Sequence, residues 1–526
     1  MKNFMILVRV LMIWGILSVI SCDDKSSEPD LTTPAVEITS PCQGAIVSGI
    51  VTITASVTSR LAVQNVVFLV DNDTLAVITE APYIATWNTE TGQNYFHELQ
   101  CRAKFESGDD IASEIIFVEV KNLLFKAHFN YDWMMPYEGT GIIFISDPAG
   151  NLLAESECAG NANIEFEQSP QMPVIPETIS VTTIRNKDGN LSLITYLEVP
   201  KGSEWTFKRE SDIQDNNYQV TFNFNNIPEN DGYIISSQWN YHSFHTLSLH
   251  SPYNFNFAET PMDFFLQLNT LESGKKYLWI ENVTPGNSEV DLSSLIPMTE
   301  QLIFLGDLPD WAIVNLCGFP ENGSHYSGKY KIDWESFEEG TDVQATIHIP
   351  AADFSDYKTE IKVMVQASIW LEYLTQTVYG DIPSSFSRID AEFDIVNVAP
   401  DNFEIQTTGI YDEIFVKWQG WDAISSWQAY SPSYLTAFSL PKLPELIYQD
   451  FPDIDEAYLE WFDISLIEYP QLNSYEEILD ARFKSPELFF NTINEFRTRT
   501  KDTSINIQDR QNAQFDPVVK ALLIDN

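Results

Sequence analysis

Across residues 35–122 apolar and polar side chains alternate with a period of two. Val51, Ile53, Ala55 and Val57 are separated by Thr52, Thr54 and Ser56, and Leu99, Cys101 and Ala103 by Gln100 and Arg102. Ile116, Val118 and Val120 share one face of a last strand, and the apolar run at 66–70 stops at the turn residues Asp71-Asn72-Asp73. Successive side chains of a strand point to opposite faces, so the pattern predicts half-buried strands joined by polar turns. Together they make a sandwich of about 90 residues.

The same alternation continues downstream. Phe125, Ala127, Phe129 and Tyr131 share a strand face in a second β unit, 123–213. Two hairpin turns follow, at 147–152 and 186–191, each with a glycine where a positive φ is needed. Tyr218, Val220, Phe222 and Phe224 open a β-rich region, 214–400, in the same style, which hints at repeated sandwiches. From 401 to 526 the pattern becomes mixed. Residues 453–462 and 474–483 predict short helices, the second with a capping box at Ser474 and Glu477. Ser485-Pro486 and Asp516-Pro517 read as two further helix starts. The expected fold is mainly β: tandem β-sandwich domains with a mixed α+β C-terminal portion.

Charge narrows the function. The 526 residues carry 29 basic and 76 acidic side chains, a net charge of −47. Nucleic-acid binding needs phosphates neutralised by Lys and Arg, so that class is excluded as a general partner. Attachment to an anionic membrane through a basic patch is disfavoured for the same reason. The hydrophobic fraction of 44% still suffices for several cores.

Lys2 and Arg9 precede an apolar run, residues 10–20, of signal-peptide length and too short for a comfortable bilayer crossing. Val19-Ile20-Ser21-Cys22 then resembles the lipobox of bacterial lipoproteins. The resemblance implies a signal peptide over 1–21 and a lipidated Cys22, anchored by acyl chains such as palmitate in the outer membrane. Residues 22–34 form an acidic, Pro-containing tether, since they offer no apolar face to pack. The acids after Cys22 also resemble the surface-export signal of Bacteroidetes-type lipoproteins, which favours the outer cell surface over the periplasm.

Ile38-Thr39-Ser40-Pro41, Gly44, Val47-Ser48-Gly49, Ala81-Pro82-Tyr83 and Trp87-Asn88-Thr89 resemble the bacterial immunoglobulin-like domains of surface proteins. The likeness covers 35–122 and implies a spacer or adhesive module without catalytic residues. Of the cysteines beyond Cys22, Cys42 and Cys101 lie in this domain and are candidates for a disulfide. The alternative is a free Cys101 buried with Leu99 and Ala103. Cys158 and Cys317 read as isolated.

Candidate chemistry is sparse. Nucleophile elbows, zinc-protease helices and phosphate loops are absent from the sequence. No cofactor or metal site is expected. His242, His245 and His250 do not converge if they lie in one strand, where His242 and His250 would stand about 27 Å apart. Asp450, Asp453, Asp455 and Glu456 cluster without the spacing of a calcium loop. Trp421, Trp427 and Tyr430 are candidate glycan-stacking rings, with core filling as the competing role. The Trp418 pattern predicts a buried ring. The favoured function is a non-catalytic envelope or surface lipoprotein that binds an extracellular protein or glycan, with the first module as spacer. A surface-anchored hydrolase with an accessory sandwich and a glycan-capture lipoprotein are the alternatives.

Overall fold

The computed structural model describes residues 33–130, 141–158, 161–169, 177–187, 190–207, 218–238, 240–244, 247–308, 310–320, 329–351, 354–365, 371–420, 424–450, 459–484 and 493–502. These divide into two compact units, one ending at Asn122 and the other beginning at Leu123, with residues 167–169 belonging to the first.

In the first unit the alternating segments become two sheets. One orders Ala35–Ser40, Ile50–Thr58 and Tyr83–Asn88. The other has six strands, built around Phe96–Phe105 and Val63–Val70. Ile53, Val66, Phe68, Leu99, Cys101, Ala103 and Val118 are at most 1% exposed and form the core between them. Trp87 packs into that core and Tyr83 against it. Cys101 is free and buried while Cys42 is free and exposed, so the disulfide between them does not form. Cys101 spends its sulfur as a core atom, packed beside Leu99 and Ala103.

The second unit is organised by one twelve-stranded sheet. Its order runs Leu152–Cys158, Gly141–Ser146, Thr178–Lys187, Asn190–Pro200, Ile424–Pro432, Glu413–Gly420, Leu459–Glu468, Glu495–Asp502, Leu371–Gly380, Asp356–Val365, Ala312–Phe319, Tyr330–Phe337. The joint between early and late segments is a parallel pairing in which Leu193 faces Trp427 and Tyr196 faces Tyr430. Strands on both sides of the expected boundaries at 213/214 and 400/401 therefore share one ladder.

Smaller sheets cover this ladder and bury separate cores. Leu123–Phe129 is the middle strand of a three-stranded sheet, with Ser203–Phe207 as its parallel neighbour. Tyr218–Asn225 is likewise a middle strand with a parallel neighbour, Gly286–Asp291, and it sits over the five-stranded sheet that includes Asn230–Ser236 and Met262–Thr270. The short sequence similarity between these two strands thus has a structural counterpart. Thr299–Leu308 with Gly340–Ile349, and Ala391–Ala399 with Asn402–Gly409, cover the inner face of the later strands. At the 147–152 turn Gly150 takes φ +82°, and Asp147 Oδ1 accepts from the amides of Ala149 and Asn151.

The C-terminal portion is mixed, with one relocation. Ser474 caps the helix Tyr475–Phe483, accepting from Glu477 N at 3.2 Å. The helix expected over 453–462 is not formed at its described end. Leu459–Glu468 is a strand, because Ile464 and Leu466 alternate inward with Asp463 and Ser465 outward. The other helix is Glu445–Asp450. The helix starts at Pro486 and Pro517 lie outside the described residues. None of the described helices is long and apolar enough to cross a membrane.

Candidate functional site

The aromatic cluster expected near the C-terminus is structural where it is described. Trp427 is 0% exposed, and its Nε1 donates to Thr195 Oγ1 at 2.9 Å, so no sugar face reaches it. Trp418 is buried as its pattern predicts, donating to Val398 O. Tyr430 is half-buried and stacked on Tyr196 with centroids 5.0 Å apart, while the Arg482 guanidinium lies 4.5 Å from its ring. A ring engaged by a stacked tyrosine and a guanidinium is not a free platform. Trp421 lies outside the described residues, as do His245, Cys22 and residues 451–458.

The histidine group departs from the single-strand reading. The strand ends at Phe244, and the chain turns so that His242 and His250 both contact the Tyr253 ring, at 5.9 and 5.5 Å. His242 Nδ1 pairs with Tyr253 Oη at 2.6 Å, and burial pushes its pKa down. Tyr253 occupies the space between the imidazoles.

A cluster that sequence reading missed is Asp333, Glu335 and His348, whose ligand-type atoms lie within 4.8 Å of one another. A register shift opposite Leu316 and Cys317 re-aims the Tyr330–Phe337 strand and turns the Asp333 carboxylate inward. Its Oδ1 accepts from Lys275 Nζ at 2.7 Å, Gln267 Nε2 at 3.2 Å and Trp334 N at 2.9 Å. Its Oδ2 accepts from His348 N at 2.7 Å and pairs with His348 Nδ1 at 3.3 Å. Lys275 also bonds Glu335. Burial opposes ionisation of Asp333, but the bond from His348 and the Lys275 charge outweigh it and hold the carboxyl below its usual range. The ammonium sits where a metal would, and the carboxylate oxygens are fully used. This is an internal ion pair joining two sandwiches.

On the inner side of the long sheet, where the covering sheets part, lies a cleft of 1020 Å³. Asp307, Glu339, Asp390 and Glu392 line it with Arg388 and Arg499, and among the described residues no aromatic ring does. Its arginines are engaged: Arg499 bonds Glu372 at 2.6 Å and Ala391 O at 3.0 Å, and Arg388 bonds Asp307 O at 2.5 Å.

The outer side of the same strands differs. Strand pairing sets Lys358 beside Cys317 and Tyr379, Glu360 beside Asn315 and Thr377, and Lys362 beside Thr375. Thr375 continues to Thr498, Tyr373 to Thr500, and Asp502 to Asp463 and Lys417. Lys362 Nζ lies 3.8 Å from the Tyr373 centroid, Lys358 Nζ 5.8 Å from Tyr379, and Lys331 Nζ 5.6 Å from Tyr241. Lys358 bridges Glu360 at 3.5 Å with 20% of its side chain exposed. Burial pushes Lys331 and Lys362 down, whereas Lys358 and Lys331 outweigh burial and hold Glu360 low. Lysines and tyrosines alternating at strand spacing were visible in the sequence, but only the ladder shows them to be neighbours. This recessed polar face is the candidate site.

Within it, burial and the adjoining Asp502 push the Asp463 carboxyl up to about 8, with Lys417 and Lys362 opposing. In the unfolded chain the group ionises near 4. The folded state therefore holds an extra proton between about pH 4 and 8, and stability falls as pH rises through that window. Asp463→Asn is expected to flatten this slope, whose limit is about 1.4 kcal/mol per pH unit. Urea midpoints at several pH values check it, and an unchanged slope would contradict the raised Asp463 carboxyl.

Comparison with known proteins bears on the first unit. Residues 34–100 match the sequence profile of the bacterial Ig domain family, so this stretch is an immunoglobulin-like domain. No curated protein matches the chain. Among solved structures, the CbhA fibronectin(III)-like modules of Clostridium thermocellum are 27% identical over 16% of this chain and 94% of theirs, with a TM-score of 0.16. The SGBP-B of a Bacteroides ovatus mixed-linkage glucan utilization locus, in complex with a mixed-linkage heptasaccharide, is 10% identical over 60% of this chain and 92% of its own, at 0.15. A 1.5-MDa bacterial ice-binding adhesin is 10% identical over 49% of this chain and 98% of its own, at 0.14. At these scores none of the three bears on activity.

Proposed function

We propose that the chain is a lipid-anchored protein of the bacterial outer membrane, facing the cell exterior, that binds an extracellular ligand without turning it over. Its Ig domain serves as a spacer. The observation that carries this reading is the order of parts. A segment that resembles a lipobox and a polar stretch precede an Ig domain at 34–100, and the unit beyond it has a recessed polar face on its long sheet. The buried charges that resemble catalytic groups, Asp333, Glu413 and Arg482, are each closed by internal partners. These three described groups support the frame and are not free to attack a substrate. Binding of the full chain to a panel of glycans and surface proteins, with polymer length followed in parallel, is the test.

A further inference from the structure

We propose that the outer face of the long sheet around Lys358, Lys362 and Asp463 binds an acidic oligosaccharide, one whose sugar rings carry carboxylate or sulfate groups. This rests on the binding-protein reading above and supplies its ligand class.

Charge is the first argument. In a chain of net charge −47, Lys329, Lys331, Lys358, Lys362 and Lys417 gather on or beside one sheet face. The described acids on the same face are Asp356, Glu360, Asp463 and Asp502, still fewer than the five lysines. Asp463 keeps its proton at neutral pH, because burial and the adjoining Asp502 push it up to about 8. The face is therefore locally cationic on an anionic protein. Lys331 is only 6% exposed and spends one donor on Asn315 Oδ1; an ammonium has three, so an anionic guest would serve those left over.

The neighbouring groups suit a sugar. Thr375 and Thr498 bring part-exposed hydroxyls to the same face from adjacent strands, and Tyr373 adds a part-exposed ring. Asp463 Oδ1 is buried without a hydrogen-bond partner and can accept from a ligand hydroxyl. A protein partner is disfavoured, because such interfaces centre on buried apolar or aromatic anchors. Among the described residues, the exposed large apolar side chains near this face reduce to Tyr241, which already lies under Lys331.

The overall charge imposes a signature. At low salt the negative field of the whole chain opposes an anion over about 30 Å; near physiological salt that range shrinks to about 8 Å, leaving the local contacts. At about 1 M those are screened as well. Affinity is expected to peak at intermediate ionic strength, whereas a simple polycation binds most tightly at low salt.

The experiment is calorimetry on the full chain in detergent micelles with oligogalacturonate, sulfated chondroitin oligosaccharide, cello-oligosaccharide and single-stranded DNA. The acidic sugars should bind with the intermediate-salt maximum. Lys358→Ala with Lys362→Ala should weaken them at least tenfold. Lys358→Gln with Lys362→Gln, checked for an unchanged urea midpoint, should do the same without loss of fold, and exposed Lys442→Ala should have no effect. Equal affinity for the neutral sugar, unaltered by the lysine variants, would overturn the acidic-ligand inference while leaving the binding reading intact. Equal affinity for DNA, or self-association abolished by the lysine variants, would overturn it in favour of a general polyanion site or a second copy. No binding to any probe, sugar or protein, would overturn both.

Discussion

Arg482→Ala is expected to destabilise the second unit by about 3–5 kcal/mol, the cost of leaving a buried carboxylate without its cation. Arg482 projects from the helix Tyr475–Phe483 and donates to both oxygens of Glu413 at 2.9 Å. Glu413 is 0% exposed and lies in the middle of the long sheet. Tyr469 donates to the same carboxylate at 2.9 Å, and burial together with that negative charge pushes its own pKa well up. The guanidinium also covers the Tyr430 ring. The apolar side of the helix cannot substitute for this bond. Phe483 stacks on Trp205 at 4.0 Å, and Ile478 and Leu479 fill the same core, but the carboxylate would remain charged beneath them. Arg482→Lys should lose an intermediate amount, because an ammonium cannot make the paired bonds. Arg482→Met with Glu413→Leu should recover much of the loss, since replacing both charges removes the unpaired one. Urea denaturation followed by tryptophan fluorescence checks the series, and a loss below about 1 kcal/mol for Arg482→Ala would show the pair to be peripheral.

Cys22→Ser is expected to move nearly all of the protein from the membrane pellet to the soluble fraction. With 76 acids against 29 bases, the polypeptide is repelled by anionic head groups and contributes no attraction of its own. A single acyl chain holds a protein only marginally and two hold it stably, so the proposed anchoring would depend on the modification of one sulfur. The described helices offer no substitute span. Fractionation at low and high salt distinguishes lipid from charge: the wild type should stay in the pellet in both. Unchanged membrane association of the Cys22→Ser variant would remove the lipobox from the account.

Much of the fold could be read locally. The Ig domain was legible because its strands alternate cleanly and its turns carry Asp, Asn and Gly, so Leu99, Cys101 and Ala103 declared their face before any partner was known. Ser474 and Glu477 likewise fixed a helix from a four-residue signal. The twelve-stranded ladder was not legible. Its joint pairs Leu193 with Trp427 across more than two hundred residues, and no local pattern encodes a pairing so distant. Trp427 shows the cost for the site. A tryptophan in a polar stretch is compatible with a sugar platform or a core, and the parallel neighbour strand decides for the core. Asp333 was hidden for another reason: a register shift changes which way it points, and alternation cannot predict its own interruption. The lysines of the outer face come from three separated segments, so their sum became visible only once the strands were in order.

The central claim is retention without turnover. It is tested most directly by incubating the full chain with immobilised acidic and neutral polysaccharides while counting the reducing ends released. The account predicts that the chain stays bound to the acidic polymer and that the count does not rise above the blank. A rising count that depends on the chain would identify a hydrolase and contradict the reading.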